Sequence, residues 1–67
     1  MIELTMNGER REVAEGSSVL DLLAAHQLDP RTVAVERNGE IVRRERFGDT
    51  ALTAGDRLEI VRFVQGG

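Results

Sequence analysis

Two Asn-Gly dipeptides, Asn7-Gly8 and Asn38-Gly39, constrain this chain more than any other feature. Both central positions of a type I′ turn need positive φ, which asparagine tolerates and glycine adopts freely, so Asn-Gly between alternating apolar segments marks a tight β-hairpin. Ahead of the first, Ile2, Leu4 and Met6 recur at period two and read as a half-buried strand over residues 2–6. Glu9 to about Val13 is then its return strand. Around the second, Val33 to Arg37 runs up to the turn and Glu40 to Arg43 pairs back, giving a second hairpin.

A helix is expected between the hairpins. Ser18 is a suitable N-cap, with Asp21 three residues on to complete a capping-box-like arrangement and face the positive helix end. Val19, Leu20, Leu22, Leu23 and Ala24 supply a broad apolar stripe for packing on a sheet. The helix should run to about Gln27 and stop at Asp29-Pro30, since a residue before proline is pushed out of the α region. Residues 44–56 read as irregular and polar, with Phe47 and Leu52 as anchors and Ala54-Gly55-Asp56 as a turn. A last strand, Arg57 to Val64, places Leu58 and Ile60 on one face and Val61 and Phe63 on the other. The order ββαββ, irregular segment, β describes an α+β fold of the β-grasp (ubiquitin-like) type, a mixed sheet of about five strands with one main helix across one face. The first and last strands are expected side by side at its centre. A ferredoxin-like domain would need a second helix of comparable length, which residues 44–56 do not offer.

Composition excludes most enzyme chemistry. At 67 residues the chain forms one small domain, which buries only about 60% of its unfolded surface and leaves little room for an enclosed active site. It has no cysteine, hence no disulfide, thiolate nucleophile or thiolate metal ligand. All nine basic residues are arginine, so no lysine is present for Schiff-base catalysis or as an isopeptide acceptor. Phe47 and Phe63 are the only aromatics, too few for a base-stacking platform, and no nucleic-acid partner is expected. The doublets Arg10-Arg11 and Arg43-Arg44 lie among Glu9, Glu12, Glu40 and Glu45 within a net charge of −3, and read as a mixed solvated face. His26, without a second histidine, reads as a surface residue near the helix end rather than a base or ligand. No metal site or catalytic constellation is expected. The first residues lack a basic region and a long apolar run, so no signal peptide or membrane contact is expected and the cytoplasm is the default location.

What remains is the end of the chain. Gln65-Gly66-Gly67 follows the last strand directly, dividing the chain into a globular 1–64 and a flexible tail, 65–67. Extended, three residues reach roughly 10 Å, enough to enter a partner's active site while the body stays outside. Glycine has no Cβ to clash in a narrow channel. A terminal carboxylate on Gly67 is ionised at neutral pH and is a competent nucleophile toward an activated phosphate. Attack on ATP gives an acyl adenylate, which a sulfur donor, thiol or amine can open. With glycine at about 7% of residues, a given dipeptide is Gly-Gly in roughly one case in two hundred, so the pair acquires meaning only from its place after the last strand.

Together these residues resemble the sulfur carriers of thiamine biosynthesis, a branch of the ubiquitin-like sulfur carriers. The resemblance is carried by Val19-Leu20-Asp21-Leu22-Leu23, by Val35-Glu36-Arg37-Asn38-Gly39-Glu40-Ile41-Val42, and by Leu52 with Gly55-Asp56-Arg57-Leu58-Glu59-Ile60-Val61 leading to Gly66-Gly67. The chain departs from it at Val42-Arg43-Arg44, where many members carry a proline before the arginine; Phe47 fills the aromatic position downstream. The compact length favours the thiamine branch over the molybdopterin branch. The resemblance implies a carrier that is a substrate of partner enzymes, not itself an enzyme, and binds no cofactor. An adenylyltransferase related to ubiquitin-activating enzymes would use ATP and Mg²⁺ to adenylate Gly67, a persulfide donor would convert it to a thiocarboxylate, and thiazole synthase would accept the sulfur.

Three classes of function fit the residues: a covalent sulfur carrier, in the thiamine or another pathway; a protein modifier joined to target amines through Gly67; and a non-covalent β-grasp binding module. Val61 and Phe63, facing away from the helix beside the tail, are expected as a partner-docking patch, with ordinary secondary packing as the alternative.

Overall fold

A computed structural model describes residues 1–63; Val64, Gln65, Gly66 and Gly67 lie outside the described residues. Strands β1 (Ile2–Met6) and β2 (Glu9–Val13) pair antiparallel from Ile2 opposite Val13 to Met6 opposite Glu9. Strands β3 (Val33–Arg37) and β4 (Glu40–Val42) form the second hairpin. Asn7 and Asn38 have φ of 52° and 54°, and Gly8 and Gly39 have φ of 83° and 87°. Both turns therefore have the left-handed geometry that the Asn-Gly pairs required.

Strand β5 (Arg57–Arg62) lies between the hairpins, parallel to β1 and antiparallel to β3, in the sheet order β2-β1-β5-β3-β4. This is the mixed sheet of a β-grasp roll, with the first and last strands at its centre as expected. The expected strand ran to Val64; the described ladder ends at Arg62, although the Phe63 amide still donates to the Thr32 carbonyl at 2.8 Å.

Helix α1 spans Val19–Ala25 and buries Val19, Leu22 and Leu23 against the sheet. Its capping box is complete: the Asp21 amide donates to Ser18 Oγ at 3.1 Å and the Ser18 amide to Asp21 Oδ2 at 2.9 Å. The apolar stripe is narrower than the sequence suggested, because Ala24 and, in large part, Leu20 face out. The helix also ends sooner than Asp29-Pro30 would dictate. Gln27 takes a left-handed φ of 58°, its amide donates to Ala24 O at 3.0 Å, and the Leu28 amide reaches Leu23 O at 2.9 Å. That is a Schellman motif with glutamine where glycine is usual, and Leu28 packs against the core beyond it.

Residues 44–56 are more ordered than their weak periodicity implied. Arg44–Asp49 form a 3₁₀ segment that seats Phe47 in the core. The chain then crosses the start of α1, with the Val19 amide donating to Thr50 O and the Leu52 amide to Ser17 O. Leu4, Met6, Val33, Val35, Leu58 and Ile60 from the sheet meet α1, Phe47 and Leu52 in one core. No described helix is long and apolar enough to cross a membrane.

Candidate functional site

Strand β5 carries the chain toward residues 64–67, so its fixation decides where the tail begins. On one side β3 pairs with it along its length, from Arg37 opposite Leu58 to Val33 opposite Arg62. On the other, β1 reaches only as far as Met6 opposite Leu58. Beyond that point Asn7 takes over. Its amide donates to Leu58 O at 2.8 Å, its Nδ2 donates to Ile60 O at 3.1 Å, and its Oδ1 accepts from the Ile60 amide at 2.7 Å. From the opposite hairpin, Asn38 Oδ1 accepts from the Arg57 amide at 2.9 Å. Each asparagine thus turns its own hairpin and clamps the backbone of β5. Sequence reasoning found the first role and missed the second, which needs the tertiary pairing of residues 53 and 19 positions apart.

The face of the sheet away from α1 carries the expected patch. Val61 and Phe63 are 61% and 54% exposed. Ala34 lies opposite Val61, and on the outermost strand Ile41 projects with 75% exposure opposite Glu36. Glu36 and Glu59 face each other directly across β3 and β5, and neither joins an ion pair among the described residues. The root of the tail is therefore an apolar shelf flanked by two carboxylates. Gln65, Gly66 and Gly67 themselves lie outside the described residues.

Asp56, read from the sequence as a plain turn residue, is the most strongly held polar group described. It is 4% exposed and accepts four hydrogen bonds: the Thr53 amide at 2.9 Å, Thr53 Oγ1 at 2.9 Å, Arg37 Nε at 2.9 Å and Asn38 Nδ2 at 3.1 Å. Burial works against its charge, but these donors outweigh it and hold the carboxyl at about 2. The signal available in the sequence was Thr53 three residues before Asp56, a side-chain turn pattern; its partners Arg37 and Asn38 come from the other hairpin. Asp56 ties that hairpin to the start of β5, and its own carbonyl accepts from the Thr5 amide of β1.

His26 is half-buried rather than at the surface, its Nδ1 3.1 Å from Leu22 O. The arginine doublets behave as a solvated face: Arg10 pairs with Glu3, Arg11 with Glu9 and Arg43 with Glu45, all exposed. Such solvent-screened pairs add little to stability. Among the described residues no group of three or more His, Asp or Glu side chains is placed to hold a metal ion.

A mixed sheet in this order, with one helix on one face and β5 at its centre leading toward Gly66-Gly67, defines a ubiquitin-like β-grasp fold. A family model described as the ThiS family matches residues 3–67. The sulfur carrier protein ThiS of Bacillus subtilis is 48% identical over 50 residues, spanning 75% of this chain and 76% of that protein. The chain belongs to the ThiS family. A crystal structure of the thiamine biosynthesis protein ThiS from Geobacter metallireducens superposes with a TM-score of 0.83 at 39% identity, covering 98% of this chain and all of that one. SAMP1 of Haloferax volcanii shares the fold at a TM-score of 0.59 and 26% identity, with 98% of each chain covered. A thiazole synthase of Paramagnetospirillum magneticum is 44% identical over 66 residues, 98% of this chain but only 20% of that protein. The chain thus spans about a fifth of the thiazole synthases it matches.

Proposed function

We propose that this chain carries sulfur as a thiocarboxylate on Gly67 and donates it for formation of the thiazole ring of thiamine. The observation that carries the reading is the family match, which spans residues 3–67. The thiazole synthases that contain a segment similar to this chain support thiazole synthase as the acceptor.

The chemistry follows from a carboxylate at Gly67. A carboxylate oxygen attacks the α-phosphate of ATP, held with Mg²⁺ by an adenylyltransferase related to ubiquitin-activating enzymes, and pyrophosphate leaves. The acyl adenylate is then opened by the terminal sulfur of a persulfide, expelling AMP, and a further thiol cleaves the acyl disulfide to leave the thiocarboxylate. Thiazole synthase takes the sulfur and returns a carboxylate. The chain contributes no catalytic side chain and no bound cofactor to this cycle. Its part is to present a tail without Cβ atoms at Gly66 and Gly67, and to offer Val61 and Phe63 as the apolar shelf on which a partner seats before the tail enters. Gln65 spaces that shelf from the reacting group. A protein without lysine or cysteine also brings no side-chain amine or thiol of its own to compete for the activated carbonyl.

Deleting Gly67 tests the reading. With the adenylyltransferase and ATP, the intact chain should drive pyrophosphate release and the shortened one should not, while both unfold at the same temperature. Undiminished pyrophosphate release without Gly67 would show that the tail is not the group activated.

A further inference from the structure

The chain has two asparagines, Asn7 and Asn38, and each is followed by glycine. That pairing suits the type I′ turns, and it is also the pairing most prone to cyclise. A glycine N–H, with no side chain beside it, meets little steric resistance when it attacks the carboxamide carbon of the residue before it. The glycine nitrogen loses its proton and bonds to the asparagine Cγ, Nδ2 leaves as ammonia, and a five-membered succinimide forms. Water then opens the ring at either carbonyl, giving aspartate or isoaspartate. One water is taken up and one ammonia released, with no oxidant or reductant.

The fold obstructs ring closure in two ways at both sites. Asn7 and Asn38 are held at φ of 52° and 54°. Left-handed backbone of this kind has ψ of about +47°, which turns the next nitrogen away from Cβ, so the ring closes only if the turn opens. The carboxamides are also held at both ends. Asn7 Oδ1 accepts from the Ile60 amide at 2.7 Å while its Nδ2 donates to Ile60 O at 3.1 Å. Asn38 Oδ1 accepts from the Arg57 amide at 2.9 Å while its Nδ2 donates to Asp56 Oδ1 at 3.1 Å. Both residues are exposed, so water reaches them and burial is not what protects them.

We propose that Asn7 and Asn38 are latent deamidation sites, silenced by their bonds to β5 and Asp56 and reactive only when a hairpin lets go of that strand. The reagents are water and the chain's own backbone, so no enzyme is required, and the carrier reading is not needed. At Asn7 the modification fixes its own effect. An aspartate there puts a carboxylate oxygen where Nδ2 donated to Ile60 O, and an isoaspartate lengthens the backbone of a two-residue turn by one methylene. Neither rebuilds the clamp. A chain that has once opened and reacted at Asn7 therefore keeps β5 loose at Ile60.

The test is to incubate the full chain in mildly alkaline buffer, folded and in unfolding urea, and to follow each asparagine by peptide mass mapping. Both sites should convert more slowly in the folded chain by about tenfold or more, since reaction there waits on local opening. A smaller difference at either site rejects the silencing. Asp56→Asn separates the carboxamide bonds from the stability of the whole fold. Its carbonyl oxygen is drawn to the Arg37 guanidinium and the Thr53 amide, which turns its N–H₂ toward Asn38 Nδ2 and removes that acceptor. Conversion of Asn38 relative to Asn7 should then rise about threefold or more. Leu23→Ala, which lowers stability without touching either asparagine, should leave the ratio where it is. An unchanged ratio in Asp56→Asn would show that the carboxamide bonds do not protect, and would reject the proposal. Asn7→Asp, made directly, should speed exchange of the Ile60 amide by about tenfold or more. Exchange as slow as in the unaltered chain would mean that the clamp survives the modification, and would reject the loosening of β5.

Discussion

Replacing Asp56 by asparagine keeps the side chain's shape but removes the charge that four donors converge on, and the consequence can be worked out across pH. The carboxyl lies at 3.8 when unperturbed and about 2 in the fold. At about 1.4 kcal/mol per tenfold change in proton affinity, ionised Asp56 contributes on the order of 2 kcal/mol at neutral pH. The folded value is the lower one, so this contribution is present above the unfolded value and is lost as pH falls toward the folded one. It is essentially complete above about pH 5, roughly halved at pH 3 and mostly lost by pH 2. For a 67-residue domain, whose total stability is of order 3–10 kcal/mol, that is a substantial share. Asp56→Asn should therefore cost about 2–4 kcal/mol at pH 7, the excess arising because its amide N–H₂ confronts donors on Arg37 or Asn38. Urea unfolding would be followed by circular dichroism, since the chain has no Trp or Tyr. The gap between wild type and variant should narrow by about 1–2 kcal/mol between pH 7 and pH 2.5. A gap of constant size across that range would mean that the charge of Asp56 does not stabilise the fold, and the network would have to be reinterpreted as shape alone.

Other consequences are simpler to state. Asn7→Gly retains the left-handed turn but loses both side-chain bonds to Ile60, and should cost about 1–2 kcal/mol in the same urea assay; a loss below 0.3 kcal/mol would mean the clamp on β5 is dispensable. Glu59→Thr should stabilise by about 0.2–1 kcal/mol, by ending the direct opposition of Glu36 and Glu59 and adding a residue of good strand propensity. Leu23→Ala, at a fully buried position, should cost about 2–5 kcal/mol. Val61→Ser with Phe63→Ser should leave stability within about 1 kcal/mol, as exposed positions do. The same pair should weaken binding to the adenylyltransferase at least tenfold by calorimetry, and unchanged affinity would remove the shelf from the docking surface.

Much of this architecture is legible locally. The two Asn-Gly pairs define both hairpins because left-handed φ at adjacent positions is a local demand that few dipeptides meet. Ser18 and Asp21 define the helix start for the same reason, through bonds three residues apart. The features that escaped depend on packing against the core or on partners distant in sequence. Gln27 ends the helix in a conformation usually left to glycine, with Leu28 held in the core beyond it, so the stop signal at Asp29-Pro30 came too late. Residues 44–49 lack a helical period because a 3₁₀ segment needs only Phe47 on its buried side. Asp56 looked like any turn aspartate, since Arg37 and Asn38 reach it only when the second hairpin docks beside β5. The exposed Val61 and Phe63 were readable from alternation alone. The way β5 emerges from between its neighbours was not, because that depends on where β1 stops relative to it.

The central claim is that Gly67 carries sulfur, and the intact mass of the protein measures it directly. After incubation with the adenylyltransferase, ATP, Mg²⁺ and a persulfide source, the carrier should gain the mass of one sulfur-for-oxygen exchange, and fragmentation should assign it to Gly67. The gain should disappear on adding thiazole synthase with its substrates. An unchanged mass, under conditions that convert the Bacillus subtilis sulfur carrier completely, would contradict the account.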